Sequence, residues 1–476
     1  MTLRSALRRV FKDREEFELT EGPIGRPLFY LSLPIVVTML LQTAYNLADT
    51  FWLGRYSTEA LAGISFAFPM VFLLISIGMG VSVAGSVLVA QHTGAGEPRE
   101  AAYAAAQTVA YAVLLSVVLG SVGAVVVDDF LALMGAGPGV LAGAASYMRI
   151  VSIGLFLMFG FFVFISLMRG YGDTITPMLV MLGTVILNIA LDPFVIFGWG
   201  PFPELGITGA ALATVFSRGV AAAVGLWIMV HGDRGVTIHL RDLWPDPDFG
   251  ARIARVGGPA SIETTSRALS VNLLLFIVGS FSYQVEAAFG VGTRVFSTIF
   301  LPAVAVAQGV ETMTGQNVGA GKEDRAARTN DVAALAMFLI LSGMGVVVFL
   351  FAAPIVAVFT PDATVIEIGA SFLRFVAPSF GFMGVMRAYS GGFRGTGRTL
   401  TAAAIAVSTL GAIRLPVAYY GARAMGPDGI WLSFAVSNVA GAAVALAWFR
   451  RGTWRGSDLT GPPEAAAPVA DEPGDD

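Results

Sequence analysis

The chain contains no cysteine, which excludes disulfides, thiolate metal sites and cysteine nucleophiles. Histidine is nearly absent: His92, His231 and His239 are the whole complement, each at or beyond the end of an expected helix. A histidine metal centre or a buried histidine proton switch is therefore not expected. Lysine occurs only at Lys12 and Lys322, so arginine carries almost all the positive charge. Charge of either sign is sparse, 13% of 476 residues, against about 25% in soluble domains. With 55% hydrophobic residues and a mean hydropathy of +0.74, the chain is expected to reside in a lipid bilayer. No nucleophile–base pair or metal cluster is recognisable, so neither an enzyme nor a bound cofactor is expected. No nucleic-acid partner is expected either.

What the chain does have is an internal echo. Gln91-His-Thr-Gly-Ala-Gly-Glu97 recurs as Gln316-Asn-Val-Gly-Ala-Gly-Lys322, and Arg169-Gly-Tyr-Gly-Asp-Thr-Ile-Thr176 recurs as Arg394-Gly-Thr-Gly-Arg-Thr-Leu-Thr401. Both pairs are 225 positions apart (316 − 91 and 394 − 169). Two matches at one offset make the chain two copies of one unit, and parallel halves in so apolar a chain point to a transporter. No strand precedes the glycine-rich runs and no Lys-Ser/Thr pair follows them, so they read as tight helix connections rather than nucleotide loops.

At about 20 apolar residues per crossing, twelve spans are expected, six in each copy. The division is a segment at 1–26, an N-lobe at 27–230, a linker at 231–250, a C-lobe at 251–450 and a tail at 451–476. The linker contains Trp244-Pro-Asp-Pro-Asp248. Residues 1–26 lack the short apolar core of a cleavable leader, and Arg4 to Phe17 suits either an amphipathic surface helix or a solvated leader. The tail, rich in Pro, Ala, Gly and acids, reads as disordered. Loops on the side of the two termini carry most of the arginines, whereas those on the other side carry only Arg55 and Arg423. Both termini are therefore expected in the cytoplasm.

Acids inside lipid-embedded helices cost a few kcal/mol each and usually mark a site. Asp49, in the first span, and Asp192, in the fifth, both come late in outward-running helices and should share a depth. Tyr45 and Asn188 each stand four residues before one of these acids, on the same helix face. Thr214 enters at a similar depth from the sixth span. Pro193 cannot donate to the carbonyl of Ile189, which leaves that acceptor free beside Asp192. Carboxylates, an amide oxygen, a hydroxyl and a loose carbonyl suit Na+, and a paired carboxylate suits a proton. The plainer alternative is that the acids pair with Arg218 or cap helix ends. The second copy has Leu274 where the first has Asp49, so the site belongs to the N-terminal half. Glu263 lies four residues before Arg267, which is the spacing of an ion pair. With Arg294, Arg374, Arg387 and Arg414 nearby in the C-terminal half, an anionic-substrate or second coupling site is the sharper reading.

These features resemble the multidrug and toxic compound extrusion (MATE) family of transporters. The resemblance rests on Tyr45-Asn-Leu-Ala-Asp-Thr-Phe-Trp-Leu-Gly54, Leu187-Asn-Ile-Ala-Leu-Asp192 and the paired Arg-Gly-x-Gly loops, and covers about residues 20 to 450. It implies an all-α membrane protein with twelve transmembrane helices in two pseudo-symmetric six-helix lobes, V-shaped. The implied activity is export of cationic or amphipathic compounds from the cell across the cytoplasmic membrane, by a monomer, in exchange for Na+ or H+. The family's cation site carries over to Asp49, Asn188 and Asp192, with Na+ as a candidate ion there, and to Thr214. Tyr45, Asn46, Glu263 and Arg294 are the further candidates for substrate or secondary contacts, and Pro34 matches the proline at which the first helix is proposed to bend. The tenth-helix acid of the NorM-type branch falls on Met383, which places the chain nearer the archaeal and DinF-like branches. A lipid-linked saccharide or lipid flippase of the same superfamily is the alternative, since it would favour the C-lobe arginines.

Overall fold

A computed structural model describes residues 12, 14–134, 137–232 and 234–461. The expected amphipathic stretch from Arg4 lies largely outside these residues, and so does the tail beyond Gly461. Among the described residues every long element is helical, and twelve membrane crossings follow if one bent pair counts as a single span. The N-terminal copy consists of α1 Gly25–Tyr56, α2 Thr58–Ala95, α3 Pro98–Leu133, α4 (Pro138–Ile153 continued by Leu155–Tyr171), α5 Ile175–Phe197 and α6 Gly206–His231. The C-terminal copy consists of α7 Pro247–Val278, α8 Tyr283–Gly319, α9 Glu323–Leu350, α10 Ala363–Gly395, α11 Thr399–Met425 and α12 Pro427–Arg450.

Local chemistry explains the breaks. The two parts of α4 meet at 55° around Gly154, where a Cβ would stand 2.4 Å from Val215 of α6. Within α11, a π-turn at Ser408–Arg414 shifts the register just before Pro416, whose ring cannot occupy a regular helix interior. Pro34 lies buried inside α1, which remains one unbroken helix. The helix α7 begins at Pro247, inside the expected linker, because Asp246 caps it by accepting from the Asp248 N–H.

The longest helices build the contact between lobes. With 38 residues in α2 and 37 in α8, these helices run about 55 Å, well beyond a bilayer core of about 30 Å. Their C-terminal ends meet. The start of each copy's first helix is also exchanged. Leu28 and Leu31 of α1 sit in a core built from the second copy, and Ile253 and Val256 of α7, 225 positions on, sit in a core of the first. The terminal segments close over the same end. Leu19 is buried, with its carbonyl accepting from Asn317. In the tail, Trp454 is buried and the Leu459 N–H donates to Gln91 Oε1. Residues 451–461 are thus docked rather than disordered, because Trp454 and Leu459 supply apolar anchors that the tail's overall composition conceals.

Candidate cation site and the lobe seam

Asp49 on α1 and Asp192 on α5 come together in the interior of the first copy, with 5% and 0% of their surface exposed. Their carboxyl groups are within hydrogen-bonding reach of each other. Asn188, one turn before Asp192, donates to Asp192 Oδ1 at 3.3 Å, and Thr214 on α6 donates to Asp49 Oδ2 at 3.4 Å. Tyr45 and Tyr147 are buried beside them, and Ser217 is buried on α6, three residues after Thr214. The other oxygens, Asp49 Oδ1, Asp192 Oδ2, Asn188 Oδ1, Ser217 Oγ and the Tyr45 hydroxyl, have no hydrogen-bond partner. Buried oxygens left without donors are costly, and a hard cation satisfies several at once. Among the described residues no group of three or more His, Cys, Asp or Glu is placed to hold a metal ion, and the donors present here, carboxylate, amide and hydroxyl oxygens, are those of a hard cation.

Arg218 does not pair with either acid. Its guanidinium donates to Gln42 Oε1 at 2.7 Å and to Met181 Sδ at 3.3 Å, and lies 4.4 Å from the centre of the Tyr45 ring. Gln42 and Met181 line a cavity of about 250 Å3 together with Met39, Met79, Phe162 and Arg169. An apolar, methionine-lined cavity edged with polar groups suits varied amphipathic ligands. Gln42, Tyr147 and Ser217 are absent from the sequence reading because their helix faces converge only in the folded lobe.

The second-copy candidates separate. Glu263 is buried and belongs to a network: Arg267 reaches its carboxylate at 2.9 Å, Arg394 at 3.1 Å and Arg387 at 3.9 Å. Arg394 also holds Glu311 at 2.8 Å, and Arg169 of the first copy approaches Glu311 at 3.7 Å. Glu311 is an acid inside α8 that the sequence reading passes over, although the rule that singles out Asp49 applies to it equally. Arg294 is exposed and is not part of this network. Asn46 is exposed too, accepting from Gln42 at 3.0 Å. Neither residue bonds to the acid pair: the Asn46 side chain is engaged by Gln42, and Arg294 lies on α8 of the other copy.

The repeated motifs form the seam. Gln91 donates to the Gly395 carbonyl at 3.0 Å, and Gln316 donates to Gly170 at 3.0 Å and to Tyr171 at 2.9 Å. A Cβ on Gly94 would lie 1.9 Å from the Gln316 carbonyl oxygen, and one on Gly319 would lie 1.9 Å from that of Gln91. These runs do end helices, as the sequence suggests. Their glutamines and glycines also bring two backbones into contact across the lobes.

Similarity to known proteins agrees with this duplication. The family model MatE matches twice, over residues 34–194 and 259–420, two stretches whose starts are again 225 apart (259 − 34). The FAD transporter of Shewanella oneidensis is 28% identical over 90% of this chain and 94% of its own length. A probable multidrug resistance protein, NorM, of Thermotoga maritima is 29% identical over 90% and 93%. Among solved structures, a MATE protein in the bent conformation is 26% identical with a TM-score of 0.85, over 91% of this chain and 96% of that one. A MOP superfamily transporter from Pyrococcus furiosus, described as having reverse polarity of its binding pocket, is 25% identical with a TM-score of 0.81, over 91% and 97%. The chain is a multi-pass membrane transporter and belongs to the MATE family.

Proposed function

We propose that this protein is a cation-coupled antiporter that exports cationic or amphipathic organic compounds by alternating access. The observation that carries this reading is the buried pair Asp49 and Asp192, surrounded by oxygens without donors. Inward-moving Na+ or H+ binds there, ligated by Asp49, Asn188, Asp192 and Thr214. Occupancy stabilises one arrangement of the lobes over the other, and that differential affinity is what coupling requires. The substrate binds in the methionine-lined cavity beside Gln42 and Met181, and Pro34 is the point in α1 where a bend would open or close it. The lobes divide at the linker preceding α7, both termini are cytoplasmic, and a monomer suffices because each copy's core is completed by the other. With Met383 at the tenth-helix position, the chain sits near the archaeal and DinF-like branches.

A second reading is favoured by one observation. Arg414 is buried and, among the described residues, held by Ser437, Asn438 and the face of Phe434, and Arg387 shares Glu263 with two other arginines. Such an excess of buried guanidinium supports an anionic substrate, such as a flavin nucleotide or a lipid-linked saccharide. The Shewanella relative named as an FAD transporter is in keeping with this reading.

The test is efflux of ethidium from proteoliposomes under an imposed Na+ or H+ gradient, with wild type and Asp49→Asn side by side. Gradient-driven efflux that disappears in the variant supports the antiporter and assigns the ion. Folded wild type that moves no ethidium under either gradient, but moves FAD or a lipid-linked sugar, establishes the second reading.

A further inference from the structure

Resting on the proposed cation site, we propose that Arg218 is a built-in counter-charge that sets coupling at one monovalent cation per cycle. Four buried residues inside the N-lobe spans carry the relevant charge: Asp49, Asp192, Arg169 and Arg218. Arg169 is drawn across the seam, donating to Gln308 Oε1 at 3.1 Å and approaching Glu311 at 3.7 Å, and so belongs to the Glu263–Glu311 network rather than to the acid pair. The remaining three share one compartment, faced by α1, α4, α5 and α6. Among the described residues, the other ionisable groups facing it are the phenols of Tyr45 and Tyr147. Two carboxylates and one guanidinium leave a single net negative charge, and a net charge is expensive in a region shielded from water. One Na+ or one H+ removes it. A second monovalent cation would leave the site positive.

The placement of Arg218 suits a fixed charge rather than a salt bridge. It is 2% exposed and forms no ion pair within 4 Å with either acid. Gln42 and Met181 hold its two terminal nitrogens, and the rings of Tyr45 and Phe161 lie 4.4 and 5.2 Å from its guanidinium carbon. Arginine stays charged in essentially any protein environment and stacks well on aromatic faces. Held this way, it leaves the carboxylate oxygens open to an incoming ion, while its field still acts on them. The same guanidinium holds two side chains that line the substrate cavity. It therefore positions that wall while it balances the site.

The experiment counts cations on the purified full-length protein. Bound 22Na+ is measured at saturation, and protons taken up in the absence of Na+ are measured by pH-stat. Both are referred to the Asp49→Asn/Asp192→Asn variant, in which the site is neutralised. The expected count is one for wild type, one for Arg218→Lys and two for Arg218→Gln. Asp49→Asn should bind none, and adding Arg218→Gln to it should restore one, a rescue that a packing role for Arg218 would not produce. A wild-type count of two, or a count of one in folded Arg218→Gln, overturns the proposal. Should Arg218→Gln fail to fold, the wild-type and Arg218→Lys counts decide. If the doubly neutralised variant binds as many cations as wild type, the acid pair is not the cation site, and the functional reading fails with it.

Discussion

Gln91 and Gln316 reach across the seam in opposite directions, each amide donating at 3.0 Å to a backbone carbonyl of the other copy's Arg-Gly-x-Gly motif. Their acceptors, Gly395 and Gly170, are related by the same 225-residue offset as the glutamines themselves. The bonds are buried, and an approximate two-fold axis passes between them. A lock of this kind holds only while both lobes are closed at this end, so breaking it should be part of the transport cycle.

Replacing Gln91 or Gln316 by Leu should move the conformational equilibrium away from the closed seam. Gln91→Leu strands the Gly395 carbonyl and the Leu459 N–H, and Gln316→Leu strands the Gly170 and Tyr171 carbonyls, each at a cost of about 1–3 kcal/mol, which corresponds to roughly 5–150-fold in population. The cysteine-free chain makes the measurement simple. Spin labels introduced through Gly200→Cys and Ser280→Cys, in loops at the opposite end, should report a shorter distance in either variant. Unchanged distance distributions would mean that the two amides contribute nothing to the equilibrium.

Gly94→Ala should be far more damaging than an alanine at an open position. The added methyl would overlap the Gln316 backbone, whereas nothing lies within 4 Å of a Cβ on Gly183. Overpacking of this sort costs about 1–3 kcal/mol when neighbours can shift, and backbone shifts less readily than side chains. Transport rate per folded molecule should fall at least tenfold for Gly94→Ala and stay within twofold of wild type for Gly183→Ala.

Asn188→Leu should weaken cation binding by about 10–100-fold, the usual consequence of removing a residue that orients a ligating group. It removes both the donor to Asp192 Oδ1 and an oxygen that can ligate the ion. Thr214→Val removes a single bond to Asp49 and should cost no more than about tenfold, as expected for about 1.4 kcal/mol. Concentration dependence of ion-driven transport would rank the two, and the reverse order would count against this geometry.

Glu263→Gln should lower stability without altering the coupling ion or its count. It leaves Arg267 and Arg387 without their carboxylate partner and Arg394 with Glu311 alone, and breaking a buried ion pair on one side costs about 3–5 kcal/mol. The apparent melting temperature in detergent should fall by several degrees. A lost or altered cation count at full thermal stability would instead make Glu263 a coupling residue.

The fold was legible because it rests on properties that sequence displays directly. Apolar spans of sufficient length, an arginine bias between loops and two motif pairs at one offset require no knowledge of packing. Asp49, Asn188, Asp192 and Thr214 were legible for a related reason: a polar group in an apolar helix is conspicuous wherever it faces. Arg294 and Asn46 met that same test and proved exposed, without a bond to either acid, because span membership does not reveal which groups a side chain meets.

What only the tertiary structure decided is which groups meet. Arg218 stood one turn from Thr214 with two acids in reach, yet it bonds Gln42 and Met181, because the crossing of α1, α5 and α6 sets its reach. Glu311 gains its meaning from Arg394 and Arg169, which lie 83 and 142 residues away along the chain (394 − 311 and 311 − 169). The glycines of the repeated motifs spelled helix ends in the sequence. Their second role, letting Gly94 and Gly319 bring two backbones together, appeared only when the copies were set face to face. Periodicity, hydropathy and repetition are local or one-dimensional and survive in the sequence. Contact between copies depends on how helices cross, which no single helix encodes.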